Sequence, residues 1–72
     1  NTQKVCCYLS LSDAEMWKEL REIVDAYPGN GYIYVKNTDD DKLYRMSDKF
    51  SIEPISLGEI SALLGEDNIK MN

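Results

Sequence analysis

The chain has 72 residues, a net charge of −5 and 43% hydrophobic residues, which indicates one small globular domain rather than a disordered segment. A domain of this length buries only about 60% of the surface of its unfolded chain, so it has little room for an enclosed active site. The negative charge repels phosphate backbones, and direct nucleic-acid binding by the domain is not expected. The apolar runs are shorter than the roughly 20 residues that cross a membrane, so no membrane contact is expected either.

The segment at 4–11 alternates between apolar residues and others, which predicts a half-buried strand. Cys6 and Cys7 are adjacent within it, so their side chains point to opposite sides of the strand and are badly placed to pair with each other. We expect Cys7 to be buried and Cys6 to be more exposed. A secreted disulfide scaffold would carry more cysteines, spread along the chain, and a cytoplasmic setting is therefore predicted.

The segment at 12–27 changes to helical spacing and predicts an amphipathic helix. The recurring apolar positions are Met16, Trp17, Leu20, Ile23, Val24 and Tyr27. Ser12 and Glu15 have the spacing of a capping box, which predicts that the helix begins directly after Ser12.

The remaining segments continue the same two periodicities. They predict strands at 31–37, 42–46, 50–53 and 68–71, a hairpin turn at 38–42, and a second helix at 55–67 capped near Gly65. The order β-α-β-β-α-β, with the short extra strand at 50–53, is that of a split βαβ sandwich. We therefore predict an α+β fold, with an antiparallel sheet and two helices on one face, for a single domain at 1–72.

Gly29, Asn30 and Gly31 lie between the first helix and the second strand. A phosphate-binding loop usually runs from a strand into the N-terminus of a helix, where free amides face the anion. This stretch runs from a helix into a strand and presents the carbonyl end of the helix instead. We interpret it as a connector whose residues tolerate positive φ where the chain reverses.

The inventory of reactive side chains argues against catalysis by this chain. It contains no histidine, and its carboxylates alternate with basic residues as on a solvated helix face. The aspartates at 39–41 lack the ligand spacing of an EF-hand, and the two cysteines lack further zinc ligands. We predict no catalytic, cofactor-binding or metal-binding residue, and this chain alone is not expected to be an enzyme.

Tyr8, Tyr32 and Tyr34 fall on the strand faces opposite the aliphatic residues, and Tyr44 is a further candidate for the same face. If the helices cover the aliphatic side, the other side of the sheet presents an aromatic patch. Such a patch could stack bases, dock a protein, or only stabilise an exposed sheet. Basic residues lie nearby at 36 and 45, but the acidic total favours a protein partner. Tyr8, Tyr32 and Tyr34 are therefore the candidate interaction face.

Three stretches, YPGNGYIYVKN, FSIEP and LGEISALLGEDNIKM, resemble the extreme C-terminal domain of the bacterial DNA polymerase III α subunit. In that family a helix ends at an HPG-like turn, where this chain has residues 27–29. The family closes with LLGE and an NVKL-like strand, where this chain has residues 63–70. Residues 52–54 match the approach to the last helix. The similarity covers nearly the whole chain in order and spacing.

The resemblance implies a parent nucleotidyltransferase that copies DNA in the cytoplasm, with its catalytic carboxylates in a distant domain. It also implies that this chain is a non-catalytic interaction domain contacting replisome proteins, the τ subunit of the clamp loader among them. Because the chain begins at Asn1 rather than Met, we expect it to be a fragment or a processed product. The resemblance implies that it is the C-terminal part of a longer polymerase.

Two alternative functions fit the same order of elements. Amino-acid sensors of the ACT type share it and bind small molecules at glycine-bearing loops between paired copies. A sheet that binds single-stranded nucleic acid would use the tyrosines as stacking platforms and would show steep salt dependence.

Overall fold

The computed structural model describes residues 3–71 and has two helices on one face of a four-stranded sheet. The elements in chain order are β1 (Lys4–Leu9), α1 (Ala14–Ala26), β2 (Pro28–Asn37), β3 (Leu43–Phe50), α2 (Pro54–Leu64), a 3-10 turn (Glu66–Asn68) and β4 (Ile69–Met71). The strands lie in the order β3-β2-β1-β4. The predicted α+β class and the placement of both helices on one face are confirmed.

The sheet is mixed, whereas the prediction made it antiparallel throughout. β1 and β2 are adjacent and parallel, with Val5 opposite Ile33 and Cys7 opposite Val35. The intervening helix α1 carries the chain back along the sheet, so that β2 begins at the same end of the sheet as β1, as a parallel pair requires. β3 and β4 are antiparallel to their neighbours and run in the same direction at opposite edges of the sheet. The unit β3-α2-β4 is therefore split by the two central strands.

The core lies between the sheet and the helices. The alternation in the central strands directs one apolar row toward the helices, and the helices contribute the opposing stripe. The buried apolar residues are Val5, Cys7, Leu9, Leu20, Val24, Ile33, Val35, Phe50 and Ile60. Since alternate side chains of a strand point to opposite sides, the intervening residues of β1 and β2 lie on the other face of the sheet.

The N-terminus of α1 is capped by Asp13 rather than by Ser12. The Asp13 carboxylate accepts a hydrogen bond of 3.1 Å from the backbone N–H of Met16. The hydroxyl of Ser12 lies 2.6 Å from that of Ser10 instead. A carboxylate at this position also interacts favourably with the positive end of the helix dipole, which a serine hydroxyl does not.

We expect Asp13→Ala to lower the free energy of unfolding by about 1 kcal/mol, because it removes the cap of α1. Ser12→Ala is the matched control and is expected to change it by less than about 0.5 kcal/mol. Urea-induced unfolding of both variants measures the difference. A larger loss for Ser12→Ala than for Asp13→Ala would restore the capping box predicted from the sequence.

The stretch at 29–31 belongs to β2 and is not a reversal with positive φ. In the described part of the chain, positive φ occurs at Asp41 and Gly65. A Cβ atom on Gly29 would lie 2.6 Å from the Cα of Ser51, and one on Gly31 would lie 2.7 Å from the carbonyl oxygen of Phe50. The stretch does connect helix to strand, but its glycines are needed because the backbone of β2 approaches residues 50–52 closely at these positions.

The second half of the chain follows the prediction with shifted boundaries. β3 is one continuous strand from Leu43 to Phe50 with irregular register. The separate strand predicted at 50–53 is wrong, because residues 51–53 are not in a strand. Helix α2 begins at Pro54 and ends at Leu64, and Gly65, with a φ of 93°, is its C-terminal cap, as predicted. The buried Ser56 hydroxyl accepts a 3.1 Å hydrogen bond from the Glu53 N–H. Neither helix, within the described residues, is long and apolar enough to cross a membrane.

Candidate functional site

Both helices lie on one side of the sheet, and we call the opposite side the open face. Strand alternation and register assign residues from all four strands to it. They are Lys4, Cys6 and Tyr8 of β1, Tyr32, Tyr34 and Lys36 of β2, Leu43 and Arg45 of β3, and Lys70 of β4. The three tyrosines named from the sequence therefore lie together on the side where they were predicted.

The three tyrosines form a compact group across the two central strands. Tyr32 and Tyr34 are two residues apart on β2, and their rings are stacked with centroids 6.3 Å apart and planes at 13°. On β1, Cys6 is directly opposite Tyr34, so Tyr8 is the diagonal neighbour of that ring. All three tyrosines are half-buried. The rings are thus held against the sheet while part of each remains accessible.

Tyr44 does not extend this group, and the prediction that made it a candidate is wrong. It lies opposite Val35, whose side chain points toward the helices, so Tyr44 lies on the helix side at the edge of the sheet. It is 40% exposed there. The hairpin register places Arg45, and not Tyr44, opposite Tyr34.

The open face concentrates positive charge in a chain whose net charge is negative. It carries four of the eight basic residues, namely Lys4, Lys36, Arg45 and Lys70. The guanidinium carbon of Arg45 lies 5.6 Å from the ring centroid of Tyr32, and the Lys70 ammonium lies 5.6 Å from that of Tyr8. These distances are within the range of cation–π attraction. The open face is therefore both aromatic and cationic.

Sequence reasoning noted the basic residues at 36 and 45 but missed two others. The alternation of β1 places Lys4 on the same side as Tyr8, and that signal was available in the sequence. Lys70 could not be found in this way, because its position depends on the pairing of β4 with β1. That pairing joins segments more than 60 residues apart in the chain.

A groove of about 430 Å³ crosses the open face. Its walls are formed by Lys4, Cys6, Tyr8, Tyr34, Lys36, Leu43 and Lys70. None of these residues is acidic. Leu43 is 57% exposed and supplies an apolar wall. The groove therefore combines an accessible apolar side chain and two tyrosines with three ammonium groups.

The two cysteines lie on opposite sides of β1, as the alternation predicts. Both are free thiols; Cys7 is fully buried and Cys6 is half-buried in the groove of the open face. Burial raises the pKa of the Cys7 thiol to about 12, and the neighbouring Cys6 adds to this effect. Cys7 is accordingly a core residue with little thiolate at neutral pH.

We expect iodoacetamide near pH 8 to modify Cys6 and to spare Cys7 in the native protein, because the thiolate is the reacting form. Intact-mass spectrometry should then show one added label on the native chain and two after unfolding in urea. Cys6→Ser is the control and should leave the native chain unlabelled. Rapid native labelling of that variant would contradict the burial of Cys7.

The aspartates of the hairpin turn are engaged in holding the turn. Asp39 accepts a 2.6 Å hydrogen bond from the hydroxyl of Ser10. Asp40 accepts hydrogen bonds of 3.0 Å from the side-chain amide of Asn37 and from the backbone N–H of Lys42. Within residues 3–71, no group of three or more His, Cys, Asp or Glu side chains is arranged to hold a metal ion. These contacts give the aspartates a structural role.

Comparison of the chain with protein-family models, with curated proteins and with solved structures finds no match.

Proposed function

We propose that this chain is a non-catalytic protein-interaction domain from the C-terminus of a bacterial DNA polymerase III α subunit. In this proposal its open face binds an acidic contact surface on a partner protein. The observation that carries the proposal is that three half-buried tyrosines and four cations lie on one face of the sheet. The partner implied by the parentage is the τ subunit of the clamp loader, in the bacterial cytoplasm.

The side chains of the open face are of the kind that dominates protein interfaces. Tyrosine and arginine are enriched among residues whose truncation weakens binding most, and the pair Tyr32–Arg45 brings the two types into contact. The rings are stacked or partly buried before any partner binds, so less side-chain entropy is lost on association. The exposed Leu43 offers an apolar contact beside them.

The charge of the open face supports an acidic partner. Cations complement carboxylates across an interface and raise the rate of encounter, while they disfavour basic partners. The ammonium groups of Lys4, Lys36 and Lys70 border the groove from three strands. A contact surface with carboxylates around one apolar side chain would match both the cations and Leu43.

Single-stranded nucleic acid is the second candidate ligand, and the four cations on the open face favour it. The tyrosine rings argue for the protein partner. Tyr32 already contacts Tyr34 and Arg45, and Tyr8 lies beneath Lys70, so each ring offers a base less free surface for stacking. An oligothymidine titration at several salt concentrations separates the two, since phosphate binding falls steeply with salt. Saturable, salt-dependent binding would favour the nucleic acid.

The small-molecule alternative has support only in the order of the elements. A sensor of the ACT type would bind its ligand at a glycine-bearing loop. In this protein the space beside Gly29 is filled by Ser51, and that beside Gly31 by Ile52 and the Phe50 carbonyl. The glycine stretch therefore leaves no room for a ligand at those two positions.

A pull-down with the purified τ subunit tests the proposal, with Tyr32→Ala/Tyr34→Ala as the variant. We expect the double variant to weaken binding by at least about tenfold, because truncation of central interface tyrosines commonly costs 2 kcal/mol or more. Tyr44→Ala is the matched control, since it removes a tyrosine from the other side of the same sheet and should retain binding. Circular dichroism of both variants checks whether they are folded. Full retention of binding by the double variant would remove the open face as the contact surface.

A further inference from the structure

The groove between α1 and α2, on the side of the molecule away from the open face, has the opposite electrostatic character. Its volume is about 570 Å³. It is lined by Glu19, Glu22, Ile23, Ala26, Glu59, Ala62 and Leu63. Three of these residues are acidic and none is basic.

The shape of this groove follows from the spacing of residues along the two helices. Its residues on α1 recur at i, i+3, i+4 and i+7 from Glu19, and those on α2 at i, i+3 and i+4 from Glu59, so each set forms one stripe. The small side chains of Ala26 and Ala62 leave the trough open. Ile23 and Leu63 are half-buried against the core and form an apolar floor.

The carboxylates of the groove are not matched by the basic residues of α1. Lys18 and Arg21 do not line the groove. The guanidinium of Arg21 instead lies 5.9 Å from the ring centroid of Trp17. The hydroxyl of Tyr27 donates a hydrogen bond to Glu59, which holds that carboxylate at the rim. The groove thus presents an apolar floor bordered by negative charge.

We propose that the groove between α1 and α2 docks a cationic amphipathic helix of a partner protein. Two neighbouring helices present ridges between which a third helix can pack its apolar stripe. Lysine or arginine residues flanking that stripe would meet Glu19, Glu22 and Glu59, and this charge complementarity selects the occupant. The site lies on the helix side and does not depend on the function proposed for the open face.

The test uses a fluorescently labelled amphipathic peptide of about 16 residues, long enough to form a helix on binding. Leucines at i, i+3, i+4 and i+7 form its apolar stripe, and lysines flank them. A second peptide has glutamates in place of the lysines. We expect fluorescence anisotropy to show saturable binding of the lysine peptide only, with a gain of peptide helicity by circular dichroism.

Three variants of the protein locate the binding. Glu19→Lys/Glu22→Lys should weaken it by at least about tenfold, because it replaces attraction by repulsion at the rim. Asp48→Lys/Glu66→Lys makes the same change in net charge at exposed positions outside the groove and should stay within about twofold of the wild-type affinity. Ala62→Trp fills the trough without changing the charge and should abolish binding.

Two results would overturn the proposal. Equal weakening by both charge-reversal pairs, with no effect of Ala62→Trp, would mean that the peptide is attracted only by the overall negative charge. Concentration-dependent self-association in sedimentation experiments, abolished by Ala62→Trp, would mean that a second copy of the chain occupies the groove.

Discussion

Phe50→Ala is expected to lower the free energy of unfolding by about 3–5 kcal/mol, the cost of emptying a fully buried phenylalanine site. Phe50 is the largest fully buried side chain and lies at the end of β3, opposite both Pro28 and Gly31. Domains of this size have a total stability of roughly 4–11 kcal/mol, so the variant should be close to unfolding. Urea titration followed by the fluorescence of the single tryptophan, Trp17, measures the loss.

Leu43→Ala is the control for this prediction, because it truncates an apolar side chain that is 57% exposed on the same strand. We expect it to change the free energy of unfolding by less than about 1 kcal/mol. Similar losses for Phe50→Ala and Leu43→Ala would contradict the position of the core on the helix side of β3.

The same substitution, glycine to alanine, should have opposite effects at two positions. Gly31→Ala is expected to destabilise the protein by about 1–3 kcal/mol, because the new methyl group would lie 2.7 Å from both the Phe50 carbonyl oxygen and the Ile52 side chain. Gly58→Ala should stabilise it by about 0.5–1 kcal/mol, since alanine has the higher helix propensity. Gly58 lies within α2, where a Cβ atom would meet nothing within 4 Å.

Urea-induced unfolding of the two glycine variants and the wild type provides the comparison. A neutral or stabilising effect of Gly31→Ala would mean that the stretch at 29–31 is the freely turning connector predicted from the sequence. It would contradict the close approach of β2 to the residues that follow β3.

The sides of the strands could be predicted from the sequence because they depend only on local alternation. A two-residue period places Val5 and Cys7 on one side of β1 and Tyr8 on the other, whatever the strand pairs with. The same holds for Ile33, Val35 and the two tyrosines of β2. The candidate tyrosine face was therefore accessible to sequence reasoning before any pairing was known.

Features that depend on distant segments could not be predicted in this way. The parallel pairing of β1 with β2 requires knowledge of which strands are neighbours. The use of Gly29 and Gly31 for close packing is visible only once Ser51 and Ile52 are in place. The cap of α1 was a local ambiguity, because Ser12 and Asp13 are both good capping residues and the helix begins one residue later than predicted.

The net charge of the chain does not describe the local charge of the open face. The total of −5 averages over the surface, whereas the chain separates its charges between a cationic sheet face and an acidic groove on the helix side. The open face could therefore attract anionic partners although the chain as a whole is negatively charged. The position of a charge on the fold decides which partner it meets.

Calorimetric titration with the τ subunit tests most directly whether the open face binds an acidic surface of a partner protein, as we propose. Lys36→Glu/Lys70→Glu reverses two cations of the groove on the open face, and Lys18→Glu/Lys42→Glu makes the same charge change at exposed positions outside it. We predict that the first variant weakens binding by at least about thirtyfold, while the second stays within about threefold of the wild type. Equal affinity of both variants and the wild type for the τ subunit would contradict the claim.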